Sequence, residues 1–345
     1  MSQQQPQPLD PLPVAVIGCG RMGQLHARVY SQMDSVRLVG VHDADPDVAA
    51  MTVEKYGGEV FKSIEDLAER IQAATIAVPT QHHAFVAEPL LRRGVACLIE
   101  KPLAKDVDEA KQIVQWAKDH NAVVQVGHIE RFNPAIRSMT RLGISPRFIE
   151  VVRISPLTFR SIDVGVVLDM MIHDIDIVLN LARSPVTRID AIGVSVLGGA
   201  GGVEDVCNAR LTFANGCVAN LTASRLALKT ERKLRVFSPE AYVSIDYQKK
   251  YGMVARKTEN LTAIRDTVAQ IRAGVIDDLS QIDFTELVNV EELQIDDIEP
   301  LRAELDSFIH SARTKSRPEV PAEDGLAAVE LATQIVASIP AQSLE

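Results

Sequence analysis

Three absences narrow the functions open to this chain of 345 residues. No apolar run approaches ~18 residues, so the sequence predicts no transmembrane helix. Basic residues (36) are fewer than acidic ones (46), and the net charge of −10 argues against nucleic-acid binding, although a local basic pocket could still hold an anionic small substrate. Cysteine is scarce and lacks metal-ligand spacing, so no metal site is predicted. The four thiols, expected to be reduced and mostly buried as in a cytoplasmic protein, are Cys19, Cys97, Cys207 and Cys217.

The composition is that of a folded protein with two domains. Apolar residues make up 46% of the chain, which is ample for hydrophobic cores, and 345 residues exceed the usual size of one domain. Residues 1–12 are rich in Gln and Pro and have neither a basic region nor an apolar core. We expect them to form a disordered arm rather than a signal peptide.

A glycine pattern follows the first apolar run of the chain. Residues 14–17 predict a buried strand, and Gly18, Gly20 and Gly23 follow it with the spacing G-x-G-x-x-G. Such a loop presents backbone N–H groups at a helix start, where the pyrophosphate of a dinucleotide binds. A glycine turn without a ligand is the alternative. The residues predicted to contact a dinucleotide are Gly18, Gly20, Arg21, Met22 and Gly23.

Asp43 indicates which dinucleotide would bind. It follows a second apolar run and lies 20 residues beyond Gly23, where an acid accepts hydrogen bonds from the ribose hydroxyls. A carboxylate there would repel the 2′-phosphate of NADP, so the sequence predicts NAD. Arg37 precedes this strand and is badly placed to favour NADP. The structural alternative is that Asp43 only begins the turn 43–46.

The order of strand-like and helix-like segments predicts the fold class. Over residues 13–125 strands alternate with helices, which indicates an α/β domain with a doubly wound parallel sheet of the Rossmann type. Residues 126–345 are predicted to form an α+β domain with a large open, mainly antiparallel sheet, because strand-like runs there are separated by turns such as Asn215-Gly216.

Helices are also predicted in this second half. A long apolar helix is expected over residues 164–181, and two C-terminal helices over 300–314 and 323–339, the last of which could pack back on the first domain. Residues 250–297 give no clear pattern beyond a helix near 261–273.

The long helix predicted in the second half carries unusual polar residues. Asp169 and His173 are four residues apart, and Asp176 and Asn180 extend the same helix face. A histidine with an acid one turn away can act as a general base. A structural His–Asp hydrogen bond inside a core helix is the alternative.

Polar residues also follow two neighbouring strands of the predicted parallel sheet. Glu100 and Lys101 end one strand and are predicted to contact the cofactor. A lysine there could also polarise a hydroxyl or carbonyl oxygen, although a solvated loop lysine is the common case. Pro79, Thr80 and His83 end another, where Thr80 could contact the ribose or phosphate and a histidine could serve the cofactor. A capped helix start would explain this second group nearly as well.

The beginning of the second domain supplies the remaining candidates. His128, Arg131 and Asn133 are predicted to line a substrate cleft, although Asn133 could simply be a helix N-cap. A basic stretch later in the chain could hold an anionic substrate group, but a solvated strand edge is the favoured interpretation. Its residues are Arg225, Lys229, Arg232, Lys233 and Arg235.

These motifs, in this order, resemble the Gfo/Idh/MocA family of oxidoreductases. The family pattern is a Rossmann glycine loop, Pro-(Asn/Thr)-x-x-His, Glu-Lys-Pro and Asp-x-x-x-His, and its counterparts here are residues 18–23, 79–83, 100–102 and 169–173. The resemblance implies that Lys101 polarises the substrate oxygen, that His173 exchanges its proton and that Asp169 supports the pair. It also implies an open sheet that commonly builds homodimers or homotetramers.

A closer resemblance within the family concerns the substrate. Residues 126–135 and 163–178 look most like members that oxidise the 3-hydroxyl of UDP-N-acetylglucosamine to a ketone, which an aminotransferase then uses for a diamino sugar of lipid A. This implies a cytoplasmic NAD-dependent dehydrogenase of a nucleotide sugar. A dehydrogenase for another sugar or inositol, and a non-catalytic NAD(H)-binding sensor, are the alternatives.

Overall fold

The computed structural model describes residues 10–158, 164–198, 202–257, 261–275 and 288–340, which form two compact units. The first unit is Met1–Phe132 with Ile298–Thr333, and the second is Asn133–Asp297 with Gln334–Glu345. The predicted boundary at residue 126 is therefore wrong for residues 298–333, whose apolar side chains complete the core of the first unit. Of the predicted N-terminal arm, residues 1–9 lie outside the described residues, and Leu12 already belongs to a strand.

The first unit is built on a parallel sheet. Its strands are β1 Leu12–Ile17, β2 Val36–His42, β3 Glu59–Val60, β4 Ala73–Ile76, β5 Ala96–Glu100 and β6 Val124–Gly127. They pair in parallel in the order β3-β2-β1-β4-β5-β6, which is typical of dinucleotide-binding folds and confirms the predicted sheet. Every residue of β4 is buried, as expected for a strand covered on both faces.

The second unit is built on a mainly antiparallel sheet of eight strands among the described residues. These are β7 Phe148–Ile154, β8 Val186–Val194, β9 Val206–Phe213, β10 Val218–Ser224, β11 Glu231–Phe237, β12 Ala241–Asp246, β13 Tyr251–Lys257 and β14 Val288–Glu292. Their order is β14-β13-β12-β11-β7-β10-β9-β8, and only the β7–β10 pair is parallel. The Asn215-Gly216 hairpin joins β9 to β10 as predicted, with Gly216 at φ +81°. Strands β13 and β14 were not predicted.

Four of the helices begin at a side-chain cap. The helix bounds are α1 Arg21–Tyr30, α2 Pro46–Tyr56, α3 Ile64–Ala68, α4 His83–Arg92, α5 Val107–Asp119, α6 Pro134–Arg141, α7 Ile172–Ala182, α8 Leu261–Arg272, α9 Pro300–Thr314 and α10 Ala322–Ala337. The side chains of Asp45, Ser63, Asp106 and Asn133 accept hydrogen bonds from the first turns of α2, α3, α5 and α6. Among the described residues, no helix combines the length and apolar character needed to cross a membrane.

The predicted long helix over residues 164–181 is present, but its first part is not α-helical. The segment Val167–Met171 is a π-helix, and the α-helix α7 begins only at Ile172. A π-turn holds an additional residue per turn and is frequent at functional sites. The interruption therefore falls between Asp169 and His173, the pair that the sequence placed one α-helical turn apart.

The cysteines behave as the sequence predicted. All four are free and buried. Burial raises the pKa of each thiol, to about 11 at Cys19 and about 12 at Cys207. They are therefore protonated near neutral pH and unsuited to nucleophilic chemistry.

Helix α9 brings a carboxyl group into the core of the first unit. Leu305 and Phe308 of this helix are fully buried in the same cluster as Tyr30 of α1. Glu304 is also fully buried, and neither of its carboxyl oxygens has a hydrogen-bond partner within the described part of the chain. Burial, together with the nearby charge of Glu100, raises the pKa of Glu304 well above its ordinary value. The carboxyl group of Glu304 is therefore protonated and neutral in the folded protein at pH values near the ordinary pKa of a glutamate.

Replacing Glu304 with Gln tests this protonation state. Above the pKa of an unfolded glutamate, about 4.3, wild-type Glu304 must take up a proton on folding, which lowers stability by at most about 1.4 kcal/mol per pH unit up to the folded-state pKa. Glu304→Gln needs no proton. We expect its free energy of unfolding relative to wild type to rise as the pH rises from about 4.5 towards neutrality. Chemical denaturation at several pH values measures this difference, and a pH-independent difference would contradict the assignment.

Candidate active site

Four segments with predicted site residues meet at one edge of the parallel sheet. The glycine loop follows β1, Asp43 follows β2, the 3₁₀ turn Thr80–His82 lies beyond β4, and Lys101 follows β5. Because the strands are parallel, all these residues lie at the carboxyl edge of the sheet, where ligands bind in open α/β folds. The structure thus brings together the residues that the sequence assigned to the cofactor.

The three glycines of the loop have different roles. Gly18 has φ +89°, and a Cβ there would lie 2.6 Å from the main chain of Ala77. A Cβ at Gly23 would lie only 1.7 Å from the carbonyl oxygen of Gly18. At Gly20, by contrast, a Cβ would have nothing within 4 Å, and φ is −65°. The fold itself therefore requires glycine at positions 18 and 23 but not at position 20. At Gly20 the lack of a side chain would instead allow a phosphate group to approach the backbone closely.

The carboxylate of Asp43 contacts the same loop. Its Oδ2 accepts a 2.6 Å hydrogen bond from the N–H of Cys19, and its Oδ1 accepts from the N–H of Asp45 at 2.8 Å. Asp43 therefore does begin the turn into α2, as the structural alternative proposed. Since each carboxylate oxygen can accept more than one hydrogen bond, this arrangement is compatible with acceptance from ribose hydroxyls.

His83 is held inside the protein. Its ring is buried, with Nδ1 3.0 Å from the carbonyl oxygen of Pro102 and Nε2 3.0 Å from that of Val78. Burial lowers the pKa of His83, although these carbonyl groups act in the opposite direction. His83 thus ties the start of α4 to the loop after Lys101, and the alternative of a capped helix start is not seen, since no described side chain caps the turn Thr80–His82 or α4.

Lys101 is half-buried directly after β5. Its backbone N–H donates to Oε2 of Glu100 at 3.3 Å, and Oε1 of Glu100 lies 2.9 Å from Nε2 of His26 on α1. The carboxylate predicted to serve the cofactor is thus engaged within the protein. Sequence reasoning missed His26, because it is separated from Glu100 by 74 residues.

In the second unit, His173 lies in the first turn of α7, and Asp169 lies in the π-helix before it. Both side chains are half-buried, whereas Asp176 is 2% exposed. The segment that joins Asp169 to His173 is thus partly π-helical rather than the α-helical turn that the sequence predicted.

Two buried ion pairs hold the elements around α7. Asp174, next to His173, accepts two 2.8 Å hydrogen bonds from the guanidinium of Arg153 on β7. Asp205 accepts from Arg225 Nε at 2.7 Å and from two backbone N–H groups, which overcome the effect of burial and lower its pKa. Both pairs were missed, because a charged residue in a strand gives no sequence signal of its partner.

The candidates for a substrate cleft have structural contacts. Asn133 caps α6 through a hydrogen bond from the N–H of Ala135, as its alternative proposed. Arg131 is 8% exposed and forms a 2.5 Å ion pair with Asp324 on α10. His128 is 1% exposed, at the end of β6. A role in substrate binding stays a prediction for all three.

The basic stretch does not lie on a strand edge. Strand β11 pairs with β12 on one side and β7 on the other, so the favoured interpretation of an edge is wrong. Arg225 is buried against Asp205, and three of the other cations lie beside acids. These pairs are Lys229 and Lys233 with Glu231, and Arg235 with Glu150.

The glycine loop offers a matched pair of variants. Gly20→Ala should keep the fold, with an unfolding temperature close to wild type, and weaken NADH binding, because the methyl group enters only the space open to a ligand. Gly23→Ala should destabilise the loop itself, because its methyl group would overlap the Gly18 carbonyl. Thermal unfolding and an NADH fluorescence titration separate the two effects. Wild-type NADH affinity in Gly20→Ala would show that no phosphate approaches this position.

Comparison with known proteins agrees with this arrangement. The family model described as "Oxidoreductase family, NAD-binding Rossmann fold" matches residues 12–128, and the model of the GFO/IDH/MocA C-terminal domain matches residues 157–244. UDP-N-acetylglucosamine 3-dehydrogenase of Acidithiobacillus ferrooxidans is 36% identical over 233 residues, which are 67% of this chain and 73% of that protein. Inositol 2-dehydrogenase of Rhizobium meliloti is 27% identical over 339 residues, 94% of this chain and 96% of that protein.

Solved structures give the same result. The structure of the Acidithiobacillus ferrooxidans UDP-N-acetylglucosamine 3-dehydrogenase matches 96% of this chain and 98% of its own, with a TM-score of 0.84 and 28% identity. The strand order, the glycine loop at the carboxyl edge and the matches in both halves agree with one another. The chain therefore belongs to the Gfo/Idh/MocA family of NAD-binding oxidoreductases.

Proposed function

We propose that this protein oxidises the 3-hydroxyl of UDP-N-acetylglucosamine to a ketone with NAD as the oxidant. The observation that supports this substrate is the similarity to the Acidithiobacillus ferrooxidans enzyme, which is 36% identical over 233 residues, whereas inositol 2-dehydrogenases are 27–33% identical over their aligned residues. The structural match to the same enzyme, with a TM-score of 0.84, adds support. A dehydrogenase acting on an alcohol group agrees with the family of the chain.

The cofactor would be held at the carboxyl edge of the parallel sheet. The N–H groups at the start of α1 would bind its pyrophosphate beside Gly20, and Asp43 would accept from its ribose hydroxyls. Thr80, with Pro79 before it, would border the same site. When bound, NAD supplies the two-electron acceptor that takes the hydride from the sugar carbon.

The protein's own groups would handle the proton. In the proposed reaction the 3-hydroxyl loses its proton to the neutral imidazole of His173 as the carbon–oxygen double bond forms, while the Lys101 ammonium polarises the oxygen. If Lys101 takes the proton instead, it does so as the neutral amine. Asp169, four residues before His173, would orient and charge the imidazole. Lys101 belongs to the first unit and His173 to the second.

The proposal also includes partners. A reactive 3-keto sugar requires an enzyme that consumes it, and an aminotransferase that makes a diamino sugar for lipid A would do so in the cytoplasm. A homodimer or homotetramer is proposed, because the sheet of the second unit exposes large apolar side chains. Examples are Ile192 at 66%, Val290 at 52% and Phe237 at 41% exposure.

A direct assay tests the substrate. Purified protein with NAD and UDP-N-acetylglucosamine should produce NADH, measured by absorbance, and an added aminotransferase should increase the yield by removing the ketone. N-acetylglucosamine without the UDP group should react far more slowly. Turnover of a free sugar or inositol but not of the nucleotide sugar would favour the alternative dehydrogenase. NADH binding without turnover of any substrate would favour a sensor.

Two substitutions test the chemical groups. Lys101→Ala and His173→Ala should each lower kcat by about 10²–10⁴-fold, the usual contribution of a positioned acid or base. Lys105→Ala and His310→Ala are matched controls at exposed positions and should leave kcat near wild type. Steady-state kinetics with the accepted substrate measures this, and near-normal rates in Lys101→Ala or His173→Ala would remove that residue from the mechanism.

A further inference from the structure

A buried hydrogen-bonded chain runs from α1 to the residue before Lys101. His26 lies on α1, is fully buried, and joins two strands: its Nδ1 is 3.2 Å from Oγ1 of Thr75 and its Nε2 is 2.9 Å from Oε1 of Glu100. The hydroxyl of Tyr30, one helical turn later, is 2.9 Å from the same Thr75 oxygen. Four polar groups from α1, β4 and β5 are thus connected by hydrogen bonds in the interior.

The direction of each hydrogen bond follows from the number of hydrogens. A carboxylate only accepts, so Nε2–H of His26 donates to Glu100. A neutral ring then accepts at Nδ1, where the Thr75 hydroxyl donates, and Thr75 in turn accepts from Tyr30. Every hydrogen of this hydrogen-bonded chain then has an acceptor, and each hydrogen bond is donated in the direction of Glu100. A doubly protonated ring would also donate to Thr75, and the hydrogen of either Thr75 or Tyr30 would then have no acceptor within this chain.

The charge on Glu100 is supported by its surroundings. Burial raises the pKa of Glu100, but the hydrogen bond from His26 and the neighbouring Lys101 outweigh burial and hold the pKa below its ordinary value. Gly127 pairs with Glu100 across β6, and a Cβ there would lie 2.9 Å from Oε2. This glycine therefore leaves the space that the carboxylate occupies.

We propose that His26 is a positioning residue for Lys101: the chain from Tyr30 through Thr75 fixes its tautomer, and its Nε2–H holds the Glu100 carboxylate beside the lysine. This inference rests on the proposed role of Lys101 in the reaction. Helix α1 also begins at the glycine loop. One helix would therefore fix the positions of both the phosphate-binding N–H groups and Glu100, the residue before Lys101.

The carboxylate acts on Lys101 through its charge. A negative group beside an ammonium favours the charged form of the lysine, which is the form that polarises a substrate oxygen. The other titratable groups facing Glu100 are Glu304 on α9, which is neutral near its ordinary pKa, and the neutral His83 on α4. The described hydrogen bonds to the carboxylate come from the ring of His26 and from the backbone N–H of Lys101.

Variants of His26 separate a positioning role from a structural one. His26→Leu fills the space but removes the donor, and should lower kcat by about 10- to 100-fold, the usual effect of a lost supporting hydrogen bond at a reactive group, with little change in the KM for NAD. His26→Gln can place an amide N–H near the position of Nε2 and should restore most of the rate. Equal losses in both variants would contradict the proposal.

A second measurement needs no substrate. The rate at which an amine reagent modifies Lys101, followed by mass spectrometry over pH, reports the ionisation of this lysine. In His26→Leu the midpoint should move to lower pH, because the Glu100 carboxylate loses the donor that holds it beside the Lys101 ammonium. An unmoved midpoint in a variant that still binds NADH overturns the proposal. A moved midpoint supports it even if the nucleotide sugar is not the substrate.

Thr75→Val and Tyr30→Phe keep the imidazole of His26, but each removes one hydroxyl group from the hydrogen-bonded chain. If His26 variants fail to fold, these two replace them: the midpoint shift should be larger in Thr75→Val, which frees the His26 tautomer, than in Tyr30→Phe. The ¹⁵N spectrum of the His26 ring should show an acceptor Nδ1 and a protonated Nε2 in wild type. A protonated Nδ1 or a loss of thermal stability without any midpoint shift would overturn the assignment.

Discussion

The first unit depends on direct contact between α1 and the loop that precedes it. A Cβ at Gly23 would lie 1.7 Å from the carbonyl oxygen of Gly18, so only glycine lets the helix begin this close to the end of β1. Because α1 begins so close to the end of β1, the helix axis also lies close to the sheet. This position therefore places the loop N–H groups at the carboxyl edge and brings His26 and Tyr30 into hydrogen-bond contact with Thr75.

Burial and local partners decide the charges inside this unit. Glu100 and Glu304 are the same chemical group in the same core, yet their pKa values move in opposite directions. Glu100 receives hydrogen bonds from His26 and Lys101, whereas the carboxyl group of Glu304 is buried and lies near the charge of Glu100 itself. The carboxyl group beside Lys101 is consequently the charged one.

Buried ion pairs between side chains hold α7, the helix that carries His173, in the second unit. Burying an ion pair costs several kcal/mol unless the geometry is good, and the bidentate contact between Arg153 and Asp174 meets this condition. Because Asp174 follows His173 directly, the pair fixes the rotation of α7 about its axis. The π-turn just before it then determines where Asp169 lies relative to His173.

Local requirements of the backbone are written in the sequence, and contacts between distant residues are not. The spacing of Gly18, Gly20 and Gly23 and the alternation of elements determined the parallel sheet, the cofactor class and the family, because each depends on a few consecutive residues. The pairing of His26 with Glu100 and the transfer of residues 298–333 to the first unit came only from the tertiary structure. An apolar helix face shows that it will be buried, but only the folded chain decides which core buries it.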